Sequence, residues 1–441
     1  MSKDLRAKLI SADEAAALVK SGDWVEYGGA LGQPDLFDRA LAARKDALRG
    51  VKIRALVSMT PRAVLDADPT GEHFLWFNWH FSAYDRAQNV DGRVNYIPMN
   101  FGELPAYYRR FIERPDLVCL KTAPMDSHGY FNFGGAVAHA KALTERAKIV
   151  IVETCEAMPY VFGEQESVHV SEVTHVIDGG RGSVPELANP PVTDVDRQVA
   201  EIIAAELEDG SCLQIGIGGM PNAVCTALKD AGLRDLGIHT EMFVDGMVDL
   251  IEAGVVTGAR KQLNPYQAVF TFAAGSRRMY DFIDRNPRAQ SYPVDYTNLP
   301  ENIARNDRVV SINNTTQIDL QGQAASESDG FRHLTGTGGQ LQFARAAYTS
   351  NGGKGFMCLA STYERKGQRK SRIVCTLTPG NIVTTPRTDV MYVVTEYGLV
   401  NLKGKSVAER VKALIGVAHP DFREELEREA REQRLVPRTF W

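Results

Sequence analysis

The sequence has few cysteines, and they are not arranged for cross-linking or for metal binding. Its 441 residues include six cysteines without a C-x-x-C pair, and their spacing to the nine histidines is not that of zinc ligands. These patterns exclude a disulfide framework and a structural zinc site, so the thiols are predicted to be buried and reduced. The six are Cys119, Cys155, Cys212, Cys225, Cys358 and Cys375.

Long apolar runs and excess positive charge are also missing. Nowhere do about 18 uncharged apolar residues follow one another, as a membrane-spanning helix requires. The N-terminus, MSKDLRAKLISADEAAALV, lacks the apolar core of a secretion signal. The formal net charge is −5, whereas a nucleic-acid-binding surface needs a clustered basic excess. We therefore expect a cytoplasmic protein that binds neither membranes nor nucleic acid.

The chain does contain a regular alternation of short apolar runs and amphipathic stretches. The runs are typical of buried strands, and the stretches, such as residues 11–20 and 195–210, are typical of helices. Ser11 and Glu14 form a capping-box pattern at one helix start. Strand followed by helix, repeated, predicts α/β domains with largely parallel sheets. The strand runs are residues 51–58, 116–124, 147–154, 211–218, 308–314, 355–362 and 390–398.

The length of the chain and one irregular segment predict two domains. A chain of 441 residues exceeds what one hydrophobic core usually serves. Residues 178–196 are rich in glycine and proline, which is typical of a linker. Residues 21–41 and 209–228 share a plan of strand, glycine cluster, proline and helix, which reflects either a duplication or the general likeness of strand-to-helix turns. We predict two similar open α/β domains, 1–190 and 191–441.

Two glycine clusters could face an anion. In GIGGMPNAV (216–224) glycines follow a strand and open a helix, so backbone N–H groups and the positive helix end could bind negative charge. Neither this cluster nor GTGGQ (336–340) is a dinucleotide motif, because Pro221 and Leu341 stand where the last glycine is needed. GLVNLKGKS (398–406) has one residue too many for a Walker A loop. Each cluster taken alone is either an anion site or a plain tight turn.

One glutamate and three histidines stand in contexts that could carry chemistry. Glu241, in GIHTEMFVDG (237–246), lies among apolar and hydroxyl neighbours before an Asp-Gly turn. It either ends a strand at the surface or presents a reactive carboxylate. His128, His239 and His333 are either structural, ligand-positioning or general bases. The sequence contains no G-x-S-x-G elbow and no H-E-x-x-H motif.

Nine segments, taken in their order, carry a resemblance to a known family. In the first half they are GGALGQP (28–34), PMDSHGYFNFG (124–134) and ESVHVSEVTHVI (166–177). In the second half they are GIGGMPNAV, GIHTEMFVDG, SINNTTQIDLQGQ (311–323), GTGGQLQFARAAYTSNGGKG (336–355), PGNIVTTPRTDV (379–390) and TEYGLVNLKGKS (395–406). They resemble the acetyl-CoA hydrolase/transferase family, and within it the 4-hydroxybutyrate and butyryl-CoA:acetate CoA-transferases. The resemblance implies CoA-transferase activity and an active site at the domain interface.

The resemblance implies that Glu241 is the catalytic nucleophile. In this family the glutamate of the T-E-[hydrophobic] segment attacks the acyl-CoA thioester. A carboxylate with a reference pKa of about 4.3 is ionised at neutral pH and needs no general base. The expected intermediates are an acyl-glutamyl anhydride and then a glutamyl-CoA thioester, and the acceptor carboxylate reverses both steps.

The resemblance also gives roles to the glycine clusters. The backbone N–H of Met220 is expected to form one oxyanion hole, and Gly338 with Gly339 another. Thr316 stands where relatives tend to have a short aliphatic residue, and Lys366 is either a CoA contact or part of a solvated charge run. The expected CoA-binding residues are Gly216, Ile217, Gly218, Gly219, Met220, Thr316, Gly339 and Lys366. CoA is expected as a substrate, with no metal and no permanently bound cofactor.

The acyl group and the acceptor stay open. Residues 28–34, the surroundings of His128 and residues 153–159 are expected to face the acyl group, and Phe131 and Phe133 either line its pocket or belong to the core. Butyrate, 4-hydroxybutyrate, acetate and a small dicarboxylate such as itaconate all remain. An acyl-CoA hydrolase using Glu241 and a non-catalytic CoA sensor are the alternatives. A homo-oligomer, a dimer or larger, is expected.

Overall fold

The computed structural model describes residues 3–89, 92–216 and 218–439. The chain forms two compact units. One contains Met1–Ala188, Glu241–Asp245 and Val269–Thr297, and the other contains Asn189–Thr240, Gly246–Ala268 and Asn298–Trp441. The first passage from one unit to the other falls within the glycine- and proline-rich segment. Two segments that follow residue 190 in the chain, 241–245 and 269–297, belong to the first unit.

The first unit is built on a sheet of seven strands, which are β1 (Trp24–Gly29), β2 (Val51–Leu56), β3 (Phe74–Asn78), β4 (Val94–Tyr96), β5 (Leu117–Thr122), β6 (Ile149–Thr154) and β7 (His175–Ile177). Their spatial order is β7-β6-β5-β1-β2-β3-β4, and every described pairing is parallel. The chain builds outward on one side of β1 and then on the other, so the strand order reverses there.

The second unit contains a sheet of six strands, which are β8 (Cys212–Ile215), β9 (Gly237–Ile238), β10 (Val309–Asn314), β11 (Lys354–Cys358), β12 (Tyr392–Thr395) and β13 (Gly398–Asn401). Their order is β9-β8-β10-β11-β12-β13, and the described pairs are parallel except for the β12–β13 hairpin. The strand order reverses at β8. Ile215 pairs with Ile312, so the carboxyl ends of β8 and β10 lie at the same edge.

Helices connect the strands and cover the sheets. In the first unit they are Lys3–Lys8, Ala12–Ala17, Leu36–Ala43, Ala63–Ala67, Ala83–Gln88, Leu104–Arg110, Ala140–Arg146, Arg277–Ile283 and Val294–Thr297. In the second unit they are Asp194–Ala204, Gly219–Asp230, Pro300–Ile303, Gln340–Thr349, Val407–Gly416 and Pro420–Glu432, and Asp245–Glu252 begins where the chain returns to it. No helix among the described residues has the length and apolar character needed to cross a bilayer.

Short strands complete the two units. Each is two to four residues long and pairs with one or two neighbours. They are Tyr130–Asn132 with Ser167–His169; Phe162–Gly163 with Ala289–Ser291 and Ala268–Phe270; Met242–Phe243 with Phe272–Ala273; Gln317–Asp319 with Ala324–Ala325 and Ile373–Val374; Ser328–Asp329 with Arg332–His333; and Thr362–Arg365 with Gln368–Ser371.

Each unit has its own apolar core. In the first, the ring of Tyr27 meets the rings of Phe37 and Trp76 edge-on, at centroid distances of 6.1 and 5.8 Å. In the second, Val393 of β12 and Leu414 of the helix Val407–Gly416 lie in one buried cluster. Full burial of one such side chain stabilises a fold by about 1.5–3 kcal/mol. The two cores are therefore the main source of stability.

The predicted class and most predicted elements are confirmed. All seven strand runs form strands, and both main sheets are largely parallel. Ser11 caps the helix Ala12–Ala17, and Glu14 completes the capping box. The six cysteines are buried and unpaired. One predicted helix, 195–210, is wrong in its length, because the helix Asp194–Ala204 ends six residues before Gly210.

A charged network crosses the core of the first unit. The carboxylate of Glu26 on β1 accepts hydrogen bonds from Arg54 Nε at 2.6 Å and Tyr108 Oη at 2.8 Å. Trp79 Nε1 donates to Tyr108 Oη at 3.1 Å, and the Arg54 guanidinium lies 4.2 Å from the ring centroid of Trp24. The side chains of Glu26 and Arg54 are 1% and 6% exposed. The Glu26 carboxylate is therefore bound by donors of the protein inside the core.

His139 gives the first unit a defined response to acid. Its ring stacks on Tyr108, and burial lowers its pKa from 6.5 to about 3. Below pH 6.5 the unfolded chain binds a proton at this histidine, whereas the folded protein does not, so stability falls as the pH falls towards 3. Between pH 6.5 and 5 this loss is about 2 kcal/mol. His139→Gln is expected to remove that part of the pH dependence.

Urea denaturation measures the free energy of unfolding at pH 6.5 and at pH 5.0, and the effect is the difference between these two values. Loss of the stacked ring lowers the stability of His139→Gln equally at both pH values, so it cancels in this difference. The control for replacing an exposed histidine in the same unit is His128→Gln. The same change in the free energy of unfolding between pH 6.5 and 5.0 in the wild type and in His139→Gln would contradict the prediction.

Candidate active site

The first glycine cluster begins a helix without a side-chain cap. Gly216 follows β8, and Gly218 is the N-cap of the helix Gly219–Asp230, for which no capping side chain is seen among the described residues. Gly218 has φ +130° and ψ −179°, a conformation that is essentially restricted to glycine. The first backbone N–H groups of a helix, including that of Met220, have no partner within the helix and can bind an anion. Ile217 lies outside the described residues.

Gly218→Ala is expected to lower the free energy of unfolding by about 1–3 kcal/mol, because a side chain is strained at this φ and ψ. Since the loop is the predicted CoA contact, KM for acyl-CoA should rise as well. For stability, Gly216→Ala is the matched control, because an added Cβ would lie no closer than 3.9 Å to its nearest neighbour, Ile312 O. Thermal denaturation measures the stability of both variants, and acyl-CoA titration measures KM for Gly218→Ala and the wild type. Equal losses of stability in the two variants would contradict the prediction.

The second glycine cluster starts another helix. Gly338 has φ +55°, and Gly339 precedes the helix Gln340–Thr349. This helix lies in the crossover from β10 to β11, which are parallel. Because a crossover helix runs opposite to its strands, its N-terminus lies at their carboxyl edge. Gly338 and Gly339 are therefore at the same edge of the sheet as Gly216 and Gly218.

Thr316 lies at that edge too. It follows β10 by two residues, and the Nδ2 of Asn314, at the end of β10, lies 3.5 Å from the Cβ position of Gly218. The Thr316 hydroxyl donates to Ala325 O at 2.6 Å. The hydroxyl proton of Thr316 is thus engaged within the protein, whereas its oxygen can still accept a hydrogen bond. Ligands of open parallel sheets bind at such carboxyl edges beside a reversal of strand order, and here the reversal is at β8.

Lys366 lies at the tip of an exposed hairpin. It occupies the turn between the strands Thr362–Arg365 and Gln368–Ser371. Lys366 and Gly367 have φ of 52° and 73°, the signature of a two-residue type I′ turn. The side chain is exposed, so both alternatives from the sequence, a CoA contact and a solvated charge, stay open.

Glu241 lies in the first unit, immediately before the strand Met242–Phe243. Its carbonyl accepts the backbone N–H of Thr271 at 3.0 Å and of Phe272 at 3.3 Å. Thr271 O in turn accepts the N–H of Ala138 at 3.0 Å. The side chain of Glu241 is partly exposed. The glutamate therefore stands on a backbone fixed by regular pairing, with a carboxylate that is neither deeply buried nor fully solvated.

The three histidines have different surroundings. His128 is exposed, and His239 is buried two residues before Glu241. The Nε2 of His333 lies 2.7 Å from Thr335 O, close to the second glycine cluster. Burial lowers the pKa of His333, so its ring is neutral at pH 7. The buried His139 was missed from the sequence, although its neighbours Val137, Ala138 and Ala140 are apolar and favour burial.

Residues expected on the acyl side are buried in the first unit. Phe131 and Phe133 are buried, and Phe133 lines a small cavity together with Gly28, Gly29 and Gly32, so both alternatives from the sequence, an acyl pocket and the core, stay open. Glu153 is also buried, and its carboxylate accepts the backbone N–H groups of the helix start at residues 35–37, at 2.9, 2.9 and 3.0 Å. Glu153 thus caps the helix Leu36–Ala43. Across the described residues, no group of three or more potential metal ligands is found.

Comparison with known proteins gives a consistent picture. The acetyl-CoA hydrolase/transferase N-terminal domain matches residues 2–187, and the C-terminal domain of the same family matches residues 275–430. The chain is 44% identical to the butyryl-CoA:acetate CoA-transferase of Anaerostipes caccae, over 99% of each protein. It is also 44% identical to the succinyl-CoA:cyclohexane-1-carboxylate CoA transferase of Geobacter metallireducens, over 98% of this chain and 97% of the relative.

A solved structure agrees with the sequence relatives. RipA from Yersinia pestis superposes with a TM-score of 0.90 at 37% identity, covering 98% of this chain and 99% of that one. The matches span nearly the whole length of the chain, as the motif resemblance predicts. That resemblance is confirmed, and the chain belongs to the acetyl-CoA hydrolase/transferase family.

Proposed function

We propose that the protein is a CoA-transferase that moves CoA from a short-chain acyl-CoA to a carboxylic acid. The observation that carries the proposal is the match over 99% of both chains to a butyryl-CoA:acetate CoA-transferase. The T-E-M segment with Glu241 and the order of both glycine clusters support it. We propose only a class of acyl group, short-chain acyl-CoA, because two relatives of equal identity are named for different acids.

In the proposed mechanism Glu241 acts as the nucleophile. Its carboxylate attacks the thioester carbonyl, which forms an acyl-glutamyl anhydride and releases CoA thiolate. The thiolate then attacks the glutamyl carbonyl, which forms a glutamyl-CoA thioester and frees the first acid. An acceptor carboxylate attacks that thioester, and the same two steps run in reverse. No external base is needed, since every attacking group is already an anion.

Each step passes through a tetrahedral oxyanion, which backbone N–H groups can stabilise. The proposed donors are Met220 at the first glycine cluster, and Gly338 with Gly339 at the second. A single donor of this kind is typically worth about 3–4 kcal/mol in the transition state. Gly216 to Gly219, Thr316 and Lys366 are the proposed CoA contacts. The carboxyl edge shared by Gly216, Gly218, Gly219 and Thr316 in the second unit supports the assignment of these four residues.

Mass spectrometry of the intact protein tests the proposal. The protein is mixed with butyryl-CoA without an acceptor, and the product is digested. A CoA-sized adduct on the peptide 237–246 that disappears when acetate is added is the expected result. Continuous CoA release without an adduct and without an acceptor would instead identify a hydrolase. Neither adduct nor turnover across a panel of short-chain acyl-CoAs would contradict catalysis and favour a CoA-binding sensor.

A further inference from the structure

Glu327 is a buried carboxylate that the proposed mechanism does not use. It lies in the second unit, and only 4% of it is exposed. Its Oε1 accepts a hydrogen bond from Thr384 Oγ1 at 3.0 Å. On the other side, Thr337 Oγ1 lies 3.3 Å from Oε2 and 3.5 Å from Oε1. Thr337 directly precedes Gly338, a proposed oxyanion donor. The carboxylate therefore joins the second glycine cluster to a separate loop.

The backbone of Glu327 also binds the segment that leads into the second glycine cluster. Its carbonyl accepts the N–H of Leu334 at 2.8 Å and of Thr335 at 3.4 Å. Together with the Thr337 hydroxyl, these bonds attach residues 334–337 to one residue through both backbone and side chain. Glu327 thus fixes the position of the backbone immediately before Gly338.

The residues before Glu327 reach a proposed CoA contact. Ala325 O accepts both the N–H of Thr316 at 3.0 Å and its hydroxyl at 2.6 Å. The N–H of Ser326 donates to Thr384 Oγ1 at 3.0 Å. One short segment therefore fixes Thr316 at one end and the approach to Gly338 at the other.

A negative charge beside an oxyanion donor does not help the oxyanion directly, since like charges repel. A buried carboxylate is also costly for the fold unless its hydrogen bonds are made. A carboxylate can, however, accept from two hydroxyl donors at once and so fix both. We propose that Glu327 is a positioning residue, which holds Thr337 and through it the Gly338 N–H in the orientation needed for oxyanion stabilisation. This proposal rests on the proposed function.

A double-mutant cycle in the butyryl-CoA and acetate assay tests the role. Glu327→Ala and Thr337→Val should each lower kcat about 10- to 100-fold, because small misplacement of a catalytic donor has effects of this size. KM for butyryl-CoA should change less than about threefold, since a displaced donor acts on the transition state. The double variant should be no slower than the slower single variant, because both changes break one connection.

Two further variants separate positioning from general damage. Glu327→Gln keeps an acceptor oxygen and the shape of the side chain, so it should recover most of the kcat lost in Glu327→Ala. Thr349→Val removes an exposed hydroxyl at the far end of the helix Gln340–Thr349, where it bonds to Arg345 O, so its kcat should stay near that of the wild type. If Glu327→Ala does not fold, Thr337→Val and Glu327→Gln decide the question alone.

The outcomes distinguish this proposal from the proposed function. A wild-type protein without transfer activity overturns the proposed function and the positioning role with it. An active wild type whose kcat is unchanged in Thr337→Val overturns the positioning role only. Additive losses in the double variant, or a Glu327→Gln variant as slow as Glu327→Ala, overturn it as well.

Discussion

Glu241→Ala is expected to lower kcat by about 10⁴-fold or more, because removal of a covalent nucleophile has effects of this order in other enzymes. No water molecule can replace the carboxylate in forming a glutamyl-CoA thioester, so the adduct on the peptide 237–246 should vanish as well. The measurement is the conversion of butyryl-CoA to acetyl-CoA in the presence of acetate, with the release of free CoA thiol measured in its absence. The protein should remain folded, since the Glu241 hydrogen bonds to Thr271 and Phe272 use its backbone carbonyl.

The matched control is Glu252→Ala, which removes an exposed carboxylate at the end of the helix Asp245–Glu252. Its kcat should equal that of the wild type. A Glu241→Ala variant with activity within tenfold of the wild type would show that the nucleophile is another residue. The hydrolase alternative uses the same glutamate, so the effect of acetate, rather than the loss of rate, separates the two activities.

Glu26→Ala is expected to lower the free energy of unfolding by about 3–5 kcal/mol, the usual result of removing one partner of a buried ion pair. The Arg54 guanidinium would then be left without its carboxylate while 6% exposed, and Tyr108 would lose its acceptor. Urea and thermal denaturation, followed by circular dichroism, measure the change.

Two comparisons test the physical reason. Replacing both partners, as in Glu26→Leu with Arg54→Met, should recover much of the loss, because no uncompensated charge then stays in the core. Glu72→Ala breaks the exposed Arg49–Glu72 pair of the same unit, whose side chains are 72% and 61% exposed. Such surface pairs contribute less than about 1 kcal/mol. Similar losses from Glu26→Ala and Glu72→Ala would show that burial does not control the effect.

The sequence predicts the main strands because local signals determine them. Each is a run of apolar residues that is buried on both faces of a parallel sheet, and such a run is visible without knowing its neighbours. The same holds for the Ser11 capping box, whose partners are three residues apart. The common plan of residues 21–41 and 209–228 also appears as a strand, a glycine turn and a helix in both units.

Long-range packing is what the sequence does not show. Nothing local indicates that residues 241–245 and 269–297 belong to the first unit, because their pairing through Met242–Phe243 and Phe272–Ala273 is only two residues long. Glu327 was missed for the same reason. A glutamate in AASES looks like a surface residue, and only its distant partners Thr337 and Thr384 make it a buried acceptor. A carboxylate among small apolar residues was the available signal.

The site residues also differ in whether a local sequence signal or a distant contact determines their role. The glycine clusters could be found because their conformation needs glycine, as the φ of Gly218 illustrates. The Lys366 hairpin has only half of the local signal for a type I′ turn, because Gly367 suits the second central position, whereas asparagine, aspartate or glycine is usual at the first, where Lys366 stands. The helix-capping role of Glu153 could not be found from the sequence, since the two ends of its hydrogen bonds are more than 110 residues apart.

The burial of the cysteines has a chemical consequence for a protein that handles thioesters. Acyl groups pass readily from CoA to any accessible thiolate, which would acylate the protein itself. Burial raises the pKa of the Cys212 thiol to about 11 and of the Cys225 thiol to about 12, so both stay protonated as well as inaccessible. All six cysteines are buried. The fold therefore protects the protein from covalent damage by its own proposed substrate.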